Sequence, residues 1–156
     1  MEMVRKDVAA ASLLVLLIAG CGSSRRHAPN RNQALDQSAA RFAVQIQAQL
    51  LRGEFTRAWR TLYPTQKRVV SAERLSTCYP RSAYPSTVTF RATEVRDVAW
   101  TVPGTTKTTP AKELTITATS RGRPKLIDTQ HVVRADGAWT WMLSAKYFGR
   151  AKRGAC

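Results

Sequence analysis

Residues 127–143 read IDTQHVVRADGAWTWML, and this stretch decides the fold. Two apolar runs of alternating character flank Asp136-Gly137, a pair whose backbones tolerate the positive φ angles of a tight hairpin. Ile127 to Ala135 is therefore one strand. Trp139, Trp141 and Leu143 form one face of the next, opposite Thr140 and Met142. The period of two continues upstream. Leu114, Ile116 and Ala118 alternate with Thr115, Thr117 and Thr119. Val88, Phe90 and Ala92 alternate with threonine and arginine, as do Val98, Trp100 and Val102 with Asp97, Ala99 and Thr101. Alternation slips at Val95, which predicts a bulge or bend in one long strand. Residues 103–110 (PGTTKTTP) and 121–125 (RGRPK) are the connecting loops.

Ahead of the strands the period is helical. In residues 35–52, Ala39, Phe42, Ile46 and Leu50 recur every three or four positions, widened by Ala43 and Leu51, with Gln and Arg on the other face. Gly53 is placed to cap that helix. A second helix carries Phe55, Ala58, Trp59 and Leu62 on one side and stops at Pro64. Ser71 can cap a third, with Glu73 in its first turn, that ends near Cys78-Tyr79-Pro80. These aromatic stripes are read as core. Helices followed by a meander of about four antiparallel strands give an α+β domain with the helices on one face of a curved sheet.

The chain's 156 residues, 44% of them hydrophobic, suffice for one domain of this kind. They exclude a fibrous repeat, a multi-domain enzyme and a polytopic membrane protein. Lys and Arg outnumber Asp and Glu by 25 to 10, a net charge of +15.

The N-terminal segment has a different character. Val8 to Ala19 (VAAASLLVLLIA) has Ser12 as its sole polar residue and follows Arg5 and Lys6. The run is short for a spanning helix, which needs about 20 apolar residues, and suits the apolar region of an export signal. Glu2 and Asp7 dilute the basic flank, and initiation at Met3 would remove the first. The run ends in Leu17-Ile18-Ala19-Gly20-Cys21, which resembles the lipobox of bacterial lipoproteins. The resemblance implies removal of residues 1–20 and a diacylglyceryl group on the Cys21 sulfur. Two fatty chains give stable anchoring where one does not. The expected place is the outer, extracytoplasmic face of the cell membrane, with membrane lipid as the first partner. Residues 21–34 read as the lipidated cysteine and a polar tether. Its Arg25, Arg26 and Arg31 either contact anionic headgroups or wall polymers, or are simply solvated.

Two cysteines remain, Cys78 and Cys156, and outside the cytoplasm an even pair is expected to oxidise. A Cys78–Cys156 bridge would fasten residues 149–156, read as a basic tail.

Residues 35–148 resemble the NTF2-like or cystatin-like superfamily. The resemblance rests on the long first helix, the Phe55/Trp59/Leu62/Pro64 segment, the strand meander and Asp136-Gly137-Ala138-Trp139-Thr140-Trp141. It implies a cone around a cavity, allows a homodimer through the sheet, and in enzymatic members implies an Asp, His or Tyr in the cavity. Asp97, Asp128, His131, Tyr63, Tyr79 and Tyr84 are the residues of those types, with Asp97 and His131 the catalytic candidates. No metal-ligand spacing, nucleotide-binding glycine pattern or serine-hydrolase elbow occurs, so no metal or cofactor is expected. Export argues against nucleic acid despite the basic charge. The expected function is a non-catalytic binding or structural domain. A surface enzyme using the cavity and a scaffold for another envelope protein are the alternatives.

Overall fold

The computed structural model describes residues 31–79, 87–120 and 123–154. The expected export signal, Cys21, the expected tether up to residue 30, Tyr84 and Cys156 lie outside the described residues. The order is α1 (Arg31–Leu51), α2 (Phe55–Arg60), α3 (Pro64–Lys67), α4 (Ala72–Cys78), β1 (Thr89–Thr101), β2 (Thr108–Ser120), β3 (Arg123–Ala135), β4 (Ala138–Met142) and α5 (Ala145–Arg153). The four strands form one antiparallel sheet in the order β1-β2-β3-β4, with helices packed against it. This is the expected α+β arrangement.

The hairpin is as the sequence requires. Asp136 and Gly137 both take positive φ, 51° and 80°, as a two-residue turn between twisted strands demands. The slip foreseen at Val95 is a bulge two residues earlier. Pairing passes from Ala92↔Ile116 to Glu94↔Thr115, leaving Thr93 as the extra residue. β2 and β3 start earlier than predicted, at Thr108 and Arg123, inside the stretches read as loops.

The helix-facing side of the sheet makes the core. Leu114, Ile116, Val132 and Trp141 meet Ala39, Ala43, Ile46 and Leu50 of α1 and Phe55, Ala58, Leu62 and Leu75. One polar residue intrudes on the predicted stripe: Gln47 is buried, whereas Phe42 is only partly so. α1 also begins at Arg31, four residues before its predicted start at Leu35, so that it takes in the end of the predicted tether. Ser71 caps α4 by accepting from the Arg74 amide at 3.2 Å, as expected. Pro64 does not stop α2. That helix ends at Arg60, and Pro64 opens α3, where its missing N–H costs nothing.

Between those helices Leu62 pairs in parallel with Trp141, extending the sheet past β4. Gln66, fully buried, continues the job: its Oε1 accepts from the Leu143 amide at 2.9 Å and its Nε2 donates to the Leu143 carbonyl at 3.4 Å. A side-chain amide thus satisfies the backbone where β4 runs out of partners.

The C-terminal segment differs most from expectation. Residues 149–153, read as part of a tail, are helical. Ser144 caps α5, and Phe148 and Ala151, three apart, enter the core. Phe148 and Ala151, with Tyr147 packed beside them, were sufficient apolar content once a partner surface existed. That surface includes Gly104 (φ 87°), where an added Cβ would lie 2.2 Å from the Phe148 ring.

Candidate functional site

The sheet register separates the two catalytic candidates. Asp97 pairs with Lys112, and Lys112 with Val132, so these residues share the helix-facing side. His131, next to Val132, projects from the opposite side. No shared cavity can hold both groups.

On the helix side, the Lys112 ammonium sits between two carboxylates, 2.6 Å from Asp36 of α1 and 2.7 Å from Asp97 of β1. Lys112 is largely covered (12% exposed), whereas the Asp97 side chain is 84% exposed. Burial alone would lower the Lys112 pKa, but the two carboxylates raise it above its ordinary value. A cleft of about 290 Å³ opens beside this cluster, lined by Asp97, Thr109, Pro110, Lys112, Arg134 and Trp139. The Arg134 guanidinium stacks over Trp139, and the Trp139 Nε1 donates to the Ser38 hydroxyl at 3.0 Å. The cluster therefore ties α1 to β1 and β4.

On the opposite side His131 Nε2 lies 3.0 Å from Glu113 Oε2, and Glu113 also receives Arg96. The indole of Trp100 lies flat on the imidazole, ring centres 3.4 Å apart at 20°. Lost hydration lowers the His131 pKa, an effect that the hydrogen bond to Glu113 opposes without cancelling. Glu113 is held below the usual carboxylate range, chiefly by Arg96. A histidine capped by an indole and tied to a fixed carboxylate serves the fold. With 8% of its side chain exposed, the imidazole is largely covered.

This gives a pH prediction with a definite sign. A histidine whose folded pKa is depressed binds its proton more readily when unfolded. Stability is therefore full above the ordinary 6.5 and falls as pH drops through that value toward the folded pKa. Thermal melts across this range should show wild type losing more stability on acidification than His131→Gln. Parallel curves would disprove the assignment.

Tyr79 and Asp128 do come together. Tyr79 stacks on Tyr147 of α5 (4.9 Å, 14°). Burial, with Asp128 nearby, pushes its hydroxyl well above the ordinary range. Asp128 stays exposed at the surface, but the desolvation that it does undergo raises its pKa, opposed by the Thr129 amide donating to its carboxylate at 2.9 Å. Tyr63 is buried in a second apolar cluster with Val102, Ala111, Val133 and Met142. Among the described residues no group of three His, Cys, Asp or Glu side chains could hold a metal. None of their helices is long and apolar enough to cross a membrane. Cys78 is disulfide-bonded. Both other cysteines are outside the described residues, and so is the expected pairing.

Sequence reading missed Asp36, Lys112, Glu113, Arg96 and Trp100 as partners. Each becomes visible only when the strand registers and the packing of α1 on the sheet are known. No protein-family model, curated protein or solved structure matches this chain.

Proposed function

We propose that this chain is an exported lipoprotein, acylated at Cys21 and held at the outer face of the cell membrane, whose folded part binds or scaffolds rather than catalyses. The observation that carries the reading is Leu17-Ile18-Ala19-Gly20-Cys21 at the end of a twelve-residue apolar run. Small residues at 19 and 20 leave the thiol accessible, and a thiol is the side chain that supplies a nucleophile near neutral pH. The disulfide at Cys78 supports it, because such bonds persist in oxidising compartments. Helices followed by a strand meander support an NTF2-like or cystatin-like relationship. On the helix-facing side of the sheet Trp141, Leu114, Ile116 and Val132 are all buried to 1% exposure or less and pack as core. In the cleft beside them the exposed Asp97 carboxylate is paired with Lys112, which favours a binding or structural role.

Metabolic labelling with an alkyne fatty acid tests the anchor. Wild type is expected to incorporate label and fractionate with membranes. Cys21→Ala is expected to lose both, an all-or-none difference. An intact mass showing an unmodified chain that retains residues 1–20 in the cytosol would end this reading.

A further inference from the structure

We infer that the cleft beside Lys112 binds a small zwitterion, a short peptide with free termini, its ammonium held at Asp97 and its carboxylate at Arg134. The inference rests on the binding half of the reading above and names the ligand class. The cleft holds about 290 Å³, at the lower end of the range for small-molecule sites. Its lining is mainly apolar, through Pro110, Ala111, Val133 and Trp139. Its charged side chains come from three strands: Asp97 of β1, Lys112 of β2 and Arg134 of β3. An apolar hollow with a few converging polar groups is the usual form of a ligand site. A second hollow, of about 540 Å³, runs along residues 99–105 to Ala145 and has no charged side chain in its lining. It offers nothing to orient a charged ligand.

The three charges of the cleft have different duties. The Lys112 ammonium is spent within the protein, against Asp36 and Asp97. Those two carboxylates carry one negative charge more than Lys112 cancels. The surplus is open to solvent at Asp97, which uses Oδ1 for Lys112 and has 84% of its side chain exposed. A cation at that wall completes the balance. Arg134 is the reverse case. Its guanidinium is positioned by the Trp139 ring and by donation to the Gly137 carbonyl, and it takes no carboxylate in the ion pairs of the described residues. Its place sets it apart from other exposed arginines: it is the arginine lining this cleft, stacked on an indole that Ser38 holds. A guanidinium fixed in this way presents its fork to a carboxylate with less freedom left to lose. Strand register supplies the length of the ligand. Asp97 pairs with Lys112, Lys112 pairs with Val132, and Arg134 lies two residues further along β3 on the same side. Two strand spacings across and two residues along put the Asp97 and Arg134 Cα atoms about 12 Å apart. Side chains stand roughly perpendicular to a sheet, so their charged ends keep about that separation. An extended dipeptide of about 7 Å, with a hydrogen bond of about 3 Å at each end, fills the span. Small apolar side chains on it would lie against Pro110 and Trp139.

The test titrates the purified full chain, in mild detergent, with dialanine, N-acetyl-dialanine, dialanine amide and glycerophosphoethanolamine, followed by nuclear magnetic resonance at the Trp139 indole N–H. Dialanine is expected to bind at least about tenfold more tightly than either capped peptide, because each capped form leaves one charged wall unpaired. Asp97→Asn should lose the discrimination against the N-acetyl form and keep that against the amide. Arg134→Gln should do the converse. Arg52→Gln, exposed and outside the cleft, should leave the affinity unchanged. Circular dichroism checks that each variant is folded, and Lys112 keeps Asp36 as a partner in Asp97→Asn. Equal affinity for the three peptides, loss of the same discrimination in both variants, or no shift at Trp139 with dialanine would each overturn the inference. Tighter binding of glycerophosphoethanolamine than of dialanine would put a phosphodiester at Arg134 and overturn the peptide assignment. Acylation of Cys21 plays no part in this measurement, so failure of the lipoprotein reading would show separately in the labelling experiment.

Discussion

Trp141→Ala is expected to cost about 3–5 kcal/mol, the range for deleting a fully buried aromatic side chain. The indole is 1% exposed and lies between the sheet and the helices. It also does polar work: its Nε1 donates to the Ala58 carbonyl at 2.7 Å. The Trp141 backbone exchanges bonds with the helical segment, donating to Thr61 at 3.1 Å and accepting from Tyr63 at 2.9 Å. Losing the ring leaves a cavity, removes one of the donors to the Ala58 carbonyl, which also receives Thr61, and loosens the segment that extends the sheet. Typical domain stabilities are about 5–15 kcal/mol, so the variant keeps little margin. Trp141→Phe separates the contributions. It retains much of the volume and removes the donor, for an expected loss of about 1–3 kcal/mol. Urea unfolding of both variants measures the two effects. A loss below about 1 kcal/mol for the alanine variant would mean that the ring is not the keystone of this interface.

The second large effect concerns the disulfide of Cys78. Cys21 is assigned to the lipid anchor, which leaves Cys156 as the proposed partner. The geometry of the helices is consistent with it: α4 ends at Cys78, α5 ends at Arg153, and Tyr79 and Tyr147 stack between them. A cross-link over 78 positions removes about 4–5 kcal/mol of chain entropy from the unfolded state, as an upper figure. Cys156→Ser should therefore lower stability by up to that amount. Cys78→Ser should lower it slightly more, because Cys78 is also buried in the core. The double variant should be no worse than Cys78→Ser alone, since a single bond cannot be lost twice. Additive losses, or no effect of Cys156→Ser, would reassign the partner.

Much of the fold was legible because it depends on local rules. The α1 stripe, the Ser71 cap, the Asp136-Gly137 turn and the β1 irregularity all follow from residue type and spacing. The errors share a cause. α5 was read as a tail because Phe148 and Ala151 are too few to hold a helix alone, and only Gly104 and the core make their burial worthwhile. Pro64 was read as a stop, though proline serves equally as a first helical residue, and the choice depended on Leu62 pairing with Trp141. Gln47 and Gln66 look like surface residues until the backbone and neighbours that they serve are in place.

For the candidate site the division is sharper. The residue types were visible: an aspartate, a histidine, tyrosines and no metal-binding spacing. Their relations were not. Whether Asp97 faces Lys112, or His131 faces Glu113 beneath Trp100, depends on how β1, β2 and β3 are registered. One residue of slip would exchange the faces. Residue order alone determined the alternation, the helix faces, the hairpin and the lipobox-like segment, because each is a short-range pattern of size, polarity and backbone freedom. Tertiary structure alone decided which charges meet, that Asp97 and His131 point apart, and that the last helix is clamped to the core through Phe148 and Ala151. Those outcomes depend on contacts between residues tens of positions apart, which no local spacing encodes.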